Sequence, residues 1–402
     1  MSVGSLYDVY GEGVRALFGS AIIIKILFLI YGTCRTIPEI CEMTGHVHAA
    51  VLAKERACEE YGVITRENEA LTLTPLGTVI AGKIVSLYMG YDITPDKQTE
   101  GTFVPATAET KENTEMADII PIPTSNIDEY YKQRMKGINL VFRSGIRTRI
   151  LLELLNGATD RYVLREATGC GASHLRTNLR HLIDAGLIRE QVDGICLTTQ
   201  GKKIARKAEE IIPLTALIVR HNTFWKDHEP RNLPWFALES IGDLAESEII
   251  HDNGKEYYKT YEHYMGIIAS ARHIHGITGM ANPGVADAIT RRVMEGYPGE
   301  IIVSPKLARY LFEEHYKDKV QFISTIPHFR FLVTEMPIPF CMTVTQAYLS
   351  MKMFLKGTDT FDFSNGFVSH APAALAWGER VYAHYLQSAI PIDEYLKDHP
   401  VV

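Results

Sequence analysis

Long apolar runs are missing from this 402-residue chain. The longest, Ala21 to Tyr31, carries Lys25 in its middle and is shorter than the roughly 20 apolar residues that cross a bilayer, so no membrane partner is expected. A basic start is missing too, because Met1-Ser2-Val3-Gly4 lacks the charge that opens a secretory signal. The six cysteines, Cys34, Cys41, Cys58, Cys170, Cys196 and Cys341, include no Cys-x-x-Cys pair. That dispersion predicts buried free thiols in a reduced, cytoplasmic protein. Positive charge is not in surplus either: a formal net charge of −7 excludes a protein that coats nucleic acid over its whole surface. Finally, no glycine-rich loop has the pattern that holds a methyl-donor cofactor. The best candidate, His275-Gly276-Ile277-Thr278-Gly279-Met280, lacks the acidic and glycine positions required. No catalytic residue, cofactor or metal is therefore expected.

What is present is a repeat. The stretch Ser20 to Gly77 returns as Ser144 to Gly201 at a constant offset of 124 positions. Thr44-Gly45 returns as Thr168-Gly169, Gly62-Val63-Ile64 as Gly186-Leu187-Ile188, and Leu73-Thr74-Pro75-Leu76-Gly77 as Leu197-Thr198-Thr199-Gln200-Gly201. Both copies follow the grammar of a winged helix-turn-helix. In the first, a helix over Val14 to Tyr31 ends at Gly32 and Thr36 caps a second through Met43. Thr44-Gly45 turns into a third helix from Val47 to Tyr61. A hairpin wing over Val63 to Thr74 and a closing helix through Leu87 complete it. In the second, the helices run Ile146 to Leu155, Tyr162 to Ala167 and Ser173 to Ala185, the wing folds at Asp193-Gly194, and Lys202 to Ile212 closes the unit.

The segment Thr94 to Asn126, rich in Thr, Pro and Glu without hydrophobic period, reads as a linker. After Pro213 the pattern changes. Ile274 to Met280, Glu300 to Ser304, Val320 to Ser324, Arg330 to Thr334 and Phe340 to Thr345 read as short buried strands. Helices are expected over Pro283 to Glu295, Pro305 to Lys317 and Ala373 to Ser388. The fold class is thus a multi-domain mixture of α+β and α/β. Two tandem winged helices (1–92 and 138–212, joined by a linker over 93–137) precede an α/β effector or dimerisation domain over 213–402.

Charge by segment singles out the second copy. Residues 138–220 hold 13 Lys/Arg and 8 Asp/Glu, whereas residues 14–92 hold 7 and 8, and residues 221–402 hold 16 and 22. In a helix-turn-helix the second helix of the motif enters the major groove. Here Leu175, Leu179 and Leu182 form its buried stripe. The remaining positions, Ser173, His174, Arg176, Thr177, Asn178, Arg180 and His181, all donate hydrogen bonds, and none is acidic. Arginine pairs with guanine and asparagine with adenine through two bonds each. Arg189, Lys202 and Lys203, with Arg206 and Lys207, would neutralise phosphates. The partner implied is double-stranded DNA. In the first copy Glu55, Glu59 and Glu60 oppose such contact. Glu55 also stands where the second copy has Leu179, so that copy is read as structural or dimerising.

From Ile212 onward the chain resembles the archaeal methanogenesis-regulatory-protein family. The matching stretches are Arg220-His221-Asn222-Thr223-Phe224-Trp225-Lys226-Asp227-His228, Leu233-Pro234, Ile274-His275-Gly276-Ile277, Phe331-Leu332-Val333-Thr334 and Ala374-Leu375-Ala376-Trp377-Gly378-Glu379. The resemblance implies an archaeal transcription regulator whose C-terminal domain senses a signal or mediates assembly. The additional N-terminal winged helix departs from one-module members. A homodimer is expected, since paired half-sites give affinity that one module cannot.

A small-molecule effector would be held by His221, Phe224, Trp225, His228, His273 and His275. Two of these histidines could help hold a metal, though no cluster has a recognised ligand spacing, and packing is the plainer role. Two other classes remain open. Winged helices also bind protein partners, which would make this a scaffold. They dimerise small-molecule methyltransferases as well, and Leu71 to Gly77 resembles that module.

Overall fold

The structure, a computed structural model, describes residues 1–89, 136–228, 230, 233–253, 255–256, 258–312, 317–358 and 360–399. The linker expected over Thr94 to Asn126 lies outside them. The chain divides into two compact units, Met1–Trp225 and Lys226–Val402, each mixing helix and sheet.

In the first unit the helix expected over Val14 to Tyr31 is two helices, Val3–Phe18 and Ala21–Leu29. Ser20 breaks the run because its hydroxyl accepts from Ile23 N and starts a new helix. The sequence reading missed the first turns of Val3–Phe18, which carry buried Leu6 and Tyr7. This helix lies along Thr199–Arg220 so closely that a Cβ on Gly13 would come 2.7 Å from Val219. The helix Thr199–Arg220 also overruns its expected end at Ile212, passing through Pro213 without stopping. Burial explains the continuation, since Ile211, Ile212, Leu214, Ala216, Leu217 and Ile218 are all in the core.

Each repeat then places equivalent elements at equivalent positions. Ile37–Thr44 and Arg161–Thr168 end at Gly45 and Gly169, whose φ values of +66° and +62° suit glycine. His48–Glu60 and Ala172–Asp184 follow. The first hairpin joins β2 (Ile64–Glu67) to β3 (Ala70–Leu73), with β1 (Arg35–Thr36) added at its edge. The second joins β4 (Ile188–Gln191) to β5 (Gly194–Leu197). Its turn falls on Val192-Asp193, so Gly194 opens the return strand rather than sitting in the turn.

The repeated Leu-Thr-x-x-Gly has one physical explanation in both copies. The Thr198 hydroxyl donates to Gly186 O at 2.7 Å and accepts from Gly201 N at 3.0 Å, tying the approach to the hairpin to the closing helix. Thr74 does the same with Gly62 O and Gly77 N. The glycine is needed because a Cβ would lie 1.9 Å from Leu187 O at Gly201, and 1.7 Å from Val63 O at Gly77. The copies are fastened together by Lys83 with Glu210 at 2.9 Å and by Arg149 with Asp8 at 2.9 Å.

The second unit is built on an eight-stranded sheet in the order β13-β9-β8-β7-β10-β11-β12-β6. The strands are β6 (Glu248–His251), β7 (Ile274–Thr278), β8 (Gly299–Val303), β9 (Phe329–Val333), β10 (Phe340–Val344), β11 (Leu349–Met353), β12 (Asn365–Ser369) and β13 (Ile390–Pro391). β7, β8 and β9 are parallel and joined through helices; the other pairings are antiparallel. The strand expected over Val320 to Ser324 is instead part of the helix Lys317–Ser324. Val320 and Ile323, three apart, are its buried side, while Phe322 between them is exposed. A five-residue apolar window does not separate the two periods. Among the described residues, no helix is long and apolar enough to cross a membrane.

Candidate functional site

The helix Ala172–Asp184 is anchored by buried Leu175, Leu179 and Leu182. Ser173, His174, Arg176, Thr177, Arg180 and His181 are exposed on it, and its first acidic residue is Asp184 at its last position. Arg180 reaches Asp184 only at 3.9 Å, with both side chains largely in water. Arg189 lies on the adjacent hairpin, its Nε donating to Cys196 Sγ at 3.2 Å; Lys202 and Lys203 are exposed on the helix that follows.

Asn178 corrects the sequence reading. It is buried, its Nδ2 donating to His174 O at 2.9 Å and its Oδ1 accepting from Arg147 Nη1 at 3.2 Å. Position 178 completes the i, i+3, i+4, i+7 spacing with Leu175, Leu179 and Leu182, so the buried stripe runs through it. Asn178 therefore locks Arg147 of the helix Gly145–Leu155 and faces no solvent.

In the first repeat, the matching helix His48–Glu60 buries Glu55 against Arg66 of the β2–β3 hairpin at 2.8 Å. Exposed Glu59 and Glu60 sit at its end. Of the thiols expected to be buried, Cys58 is, and burial first, then the Glu55 charge, pushes it up to about 12, which leaves it unreactive; Cys34 is exposed, and Cys41, Cys170, Cys196 and Cys341 are half-buried.

The six residues expected around an effector are not brought together. Phe224 and Trp225 are buried against each other in the first unit, ring centroids 5.1 Å apart, with His221 buried nearby in sequence. His228 belongs to the second unit, where its buried Nε2 lies 2.9 Å from Asp362. None of the six lines either cavity described below. Their aromatic and apolar surfaces are used in packing, which a run such as Phe-Trp-x-x-His does not distinguish from a binding role.

His273 and His275 do converge, with Glu379 of the helix Pro372–Leu386. The carboxylate lies 2.9 Å from His275 Nδ1 and 3.7 Å from His273 Nε2, all three residues half-buried. Tyr382 stacks on His275 at 4.5 Å. Burial pushes the Glu379 carboxyl up, but the hydrogen bond and charge of His275, then His273, outweigh it and hold it below its ordinary range. Two imidazoles and a carboxylate are a possible ligand set for a divalent transition metal.

The sequence reading missed a cavity on the opposite face of the same sheet. Phe340, Met342 and Val344 of β10 and Leu349, Met351 and Met353 of β11 alternate with Cys341, Thr343, Ser350 and Lys352. The apolar set faces the helix Pro372–Leu386, where Gly378 touches Val344 and Leu349. The polar set lines a cavity with Thr278 and Gly276 of β7, roofed by Tyr261, Tyr264, Val285 and Ile289. Cross-strand register puts Cys341 opposite Lys352 and Thr343 opposite Ser350 and Gly276. Tyr264 Oη is 2.8 Å from Thr343 Oγ1, and burial pushes the phenol up to about 12. Lys352 Nζ donates to Phe363 O at 2.9 Å. Burial lowers its pKa, while Asp252 and then Asp362 act to raise it. A second, apolar cavity under the helix Pro283–Met294 shares Val285, Ile289 and Ile301 with the first.

Comparison with known proteins adds sequence kinship. Two family profiles match: methanogenesis regulatory protein FilR1, N-terminal domain, over residues 135–216, and the middle domain of the same protein over residues 257–388. FilR1 of Methanothrix harundinacea (strain 6Ac) is 20% identical over 266 residues, 65% of this chain and 59% of that relative, so less than two thirds of the relative's length is spanned. Among solved structures, TrmBL2, an archaeal chromatin protein described as showing a novel mode of DNA binding, covers 61% of this chain and 94% of its own. Its TM-score is 0.29 and its identity 11%. NucT from Helicobacter pylori covers 36% of this chain and 98% of its own at a TM-score of 0.29 and 10% identity. Scores this low carry no weight for fold or activity.

Proposed function

Because the chain belongs to the methanogenesis regulatory protein family, we propose that it regulates transcription without catalysis, binding double-stranded DNA through its second repeat and sensing a small molecule in its second unit. In this reading both repeats are winged helix-turn-helix modules. The helix Ala172–Asp184 enters a major groove. Ser173, His174, Arg176, Thr177 and Arg180 meet base edges, and Arg189, Lys202 and Lys203 neutralise phosphates. The observation that carries the reading is the exposed outer face of that helix, which has no carboxylate before Asp184 at its last position, is held by a leucine stripe and is flanked by exposed cations. The first repeat, whose matching helix spends Glu55 on an internal ion pair and exposes Glu59 and Glu60, buttresses the second. Two copies of the chain would present two reading helices to paired half-sites.

Fluorescence anisotropy on genomic fragments retained by the full chain tests this. Arg176→Ala with Arg180→Ala is expected to cost about 1–3 kcal/mol per lost base contact and to relax sequence preference. Lys202→Ala with Lys203→Ala is expected to weaken all sequences alike and to flatten the salt dependence by about one unit per contact. Unchanged affinity in the arginine pair overturns the DNA reading.

A further inference from the structure

The sheet of the second unit turns a polar face toward the cavity around Lys352. Thr278, Cys341, Thr343, Ser350 and Lys352 occupy positions at which the same strands supply Met, Val, Leu and Phe on the opposite face. Thr343 and Ser350 are buried and Thr278, Cys341 and Lys352 half-buried; Thr343 pairs with Tyr264, Thr278 with Cys341 and Met280 O, and Lys352 with Phe363 O, so the wall is polar and ordered, and it suits a ligand with polar atoms of its own. The wall's hydrogen-bonding character says what that ligand is. Among the described lining residues the single formal charge is Lys352, and there is no Asp, Glu or His. Tyr261, Tyr264, Thr343 and Ser350 add hydroxyl donors. The helix Pro283–Met294 begins at this wall, with Asn282, Val285 and Ile289 all lining it, so its positive end favours an anion in the same space. Asp252 and Asp362 lie outside the lining and are engaged elsewhere: Asp252 accepts from Thr260 N, and Asp362 from Ser364 N and Asn365 Nδ2.

Size and the remaining walls narrow the ligand. The cavity encloses about 130 Å³, close to the roughly 150 Å³ that admits a benzene ring. Phe361, Phe363, Val285 and Ile289 form an apolar side, and the adjoining apolar cavity of about 110 Å³ continues past Val285 and Ile289 under the same helix. That helix buries only Val293 fully, so its packing leaves room beneath it. We infer that this cavity binds a small organic monocarboxylate, its acid group at Lys352 and its ring or short chain beneath the helix Pro283–Met294.

The inference rests on the reading of the second unit as a sensor, and it specifies the class of molecule sensed. Calorimetry on the full chain with benzoate and hexanoate, against benzyl alcohol and inorganic phosphate, tests it. One benzoate or hexanoate is expected per chain. Benzyl alcohol, lacking the charge, should bind about tenfold or more weakly, and phosphate, lacking the apolar part, should not compete. Lys352→Met should remove the advantage of benzoate over benzyl alcohol, and Lys352→Arg should keep it. Should Lys352→Met fail to fold, Ile289→Trp, which fills the cavity from its apolar side, should abolish binding of both. Absence of heat with either carboxylate, equal binding by wild type and Lys352→Met, or displacement of benzoate by phosphate overturns the site. If carboxylates bind but leave DNA affinity unchanged, the site stands and the sensing role falls. If no DNA binds at all, the regulator reading falls while calorimetry still decides the site.

Discussion

Glu55 and Leu179 occupy matching positions of two copies of one helix, and each is buried in its own way. Leu179 packs in an apolar stripe, whereas Glu55 is 2% exposed and depends on Arg66, which keeps 42% of its side chain in water. A buried carboxylate recovers its lost hydration only from its partner, so the two halves of the pair differ in what their removal does. Glu55→Leu, which copies the second repeat, is expected to leave stability unchanged or raise it by about 1 kcal/mol. Arg66→Met strands the carboxylate and should lower stability by about 2 kcal/mol, less than for a fully buried pair because Arg66 is partly solvated. Urea denaturation of the two variants gives the order, and the reverse order would refute this account. Glu55 was legible as an anomaly from the repeat alignment, but its partner was not, because Arg66 is reached across the hairpin rather than along the helix.

At the level of elements, the repeat makes a paired prediction. Gly201→Ala and Gly77→Ala each place a methyl group against a carbonyl oxygen of the preceding strand segment. Each should cost about 3 kcal/mol or more, through displacement of the hairpin from the closing helix. Thr198→Val and Thr74→Val remove the cap and the bond to the glycine carbonyl without adding a clash, and should cost about 1–2 kcal/mol. Circular dichroism melts of the four variants should therefore fall into two groups by residue type and not by repeat. The Leu-Thr-x-x-Gly motif and the αL glycines were readable because they are local and occur twice. The break at Ser20, the passage through Pro213 and the helix at Lys317–Ser324 were not, because each depends on which neighbouring surface covers the segment. Asn178 is an intermediate case. Its spacing from Leu175 put it on the buried stripe, while its polarity argued for the outer face, and only Arg147 resolves the conflict.

For the whole molecule, acid is expected to loosen the second unit through carboxylates that its fold holds ionised. Burial pushes Asp362 up, but hydrogen bonds from Asn365 and Ser364 and the nearby His228 outweigh it and hold its carboxyl below the ordinary range, as the histidines do for Glu379. A lowered carboxyl contributes stability that is complete above its unfolded value and is lost as pH falls through its folded one. The urea midpoint of the wild type should thus begin to drop as pH falls to the ordinary carboxylate range and keep dropping below it, and Asp362→Asn with Glu379→Gln should flatten that drop. An unchanged slope in the double variant would exclude both groups as its cause. The sequence by itself determined the duplication, the helix-ending glycines and caps of each copy, the basic bias of residues 138–220 and the main strands of the sheet, because these depend on residues close together in the chain. Only the tertiary structure decided that Asn178 is internal, that His273 and His275 meet Glu379, and that one face of the sheet is a polar cavity around Lys352. The alternation Leu-Ser-Met-Lys-Met at 349–353 held part of that signal. Which of a strand's two faces is left unfilled, however, is set by helices distant in sequence, and no local pattern encodes the space between them.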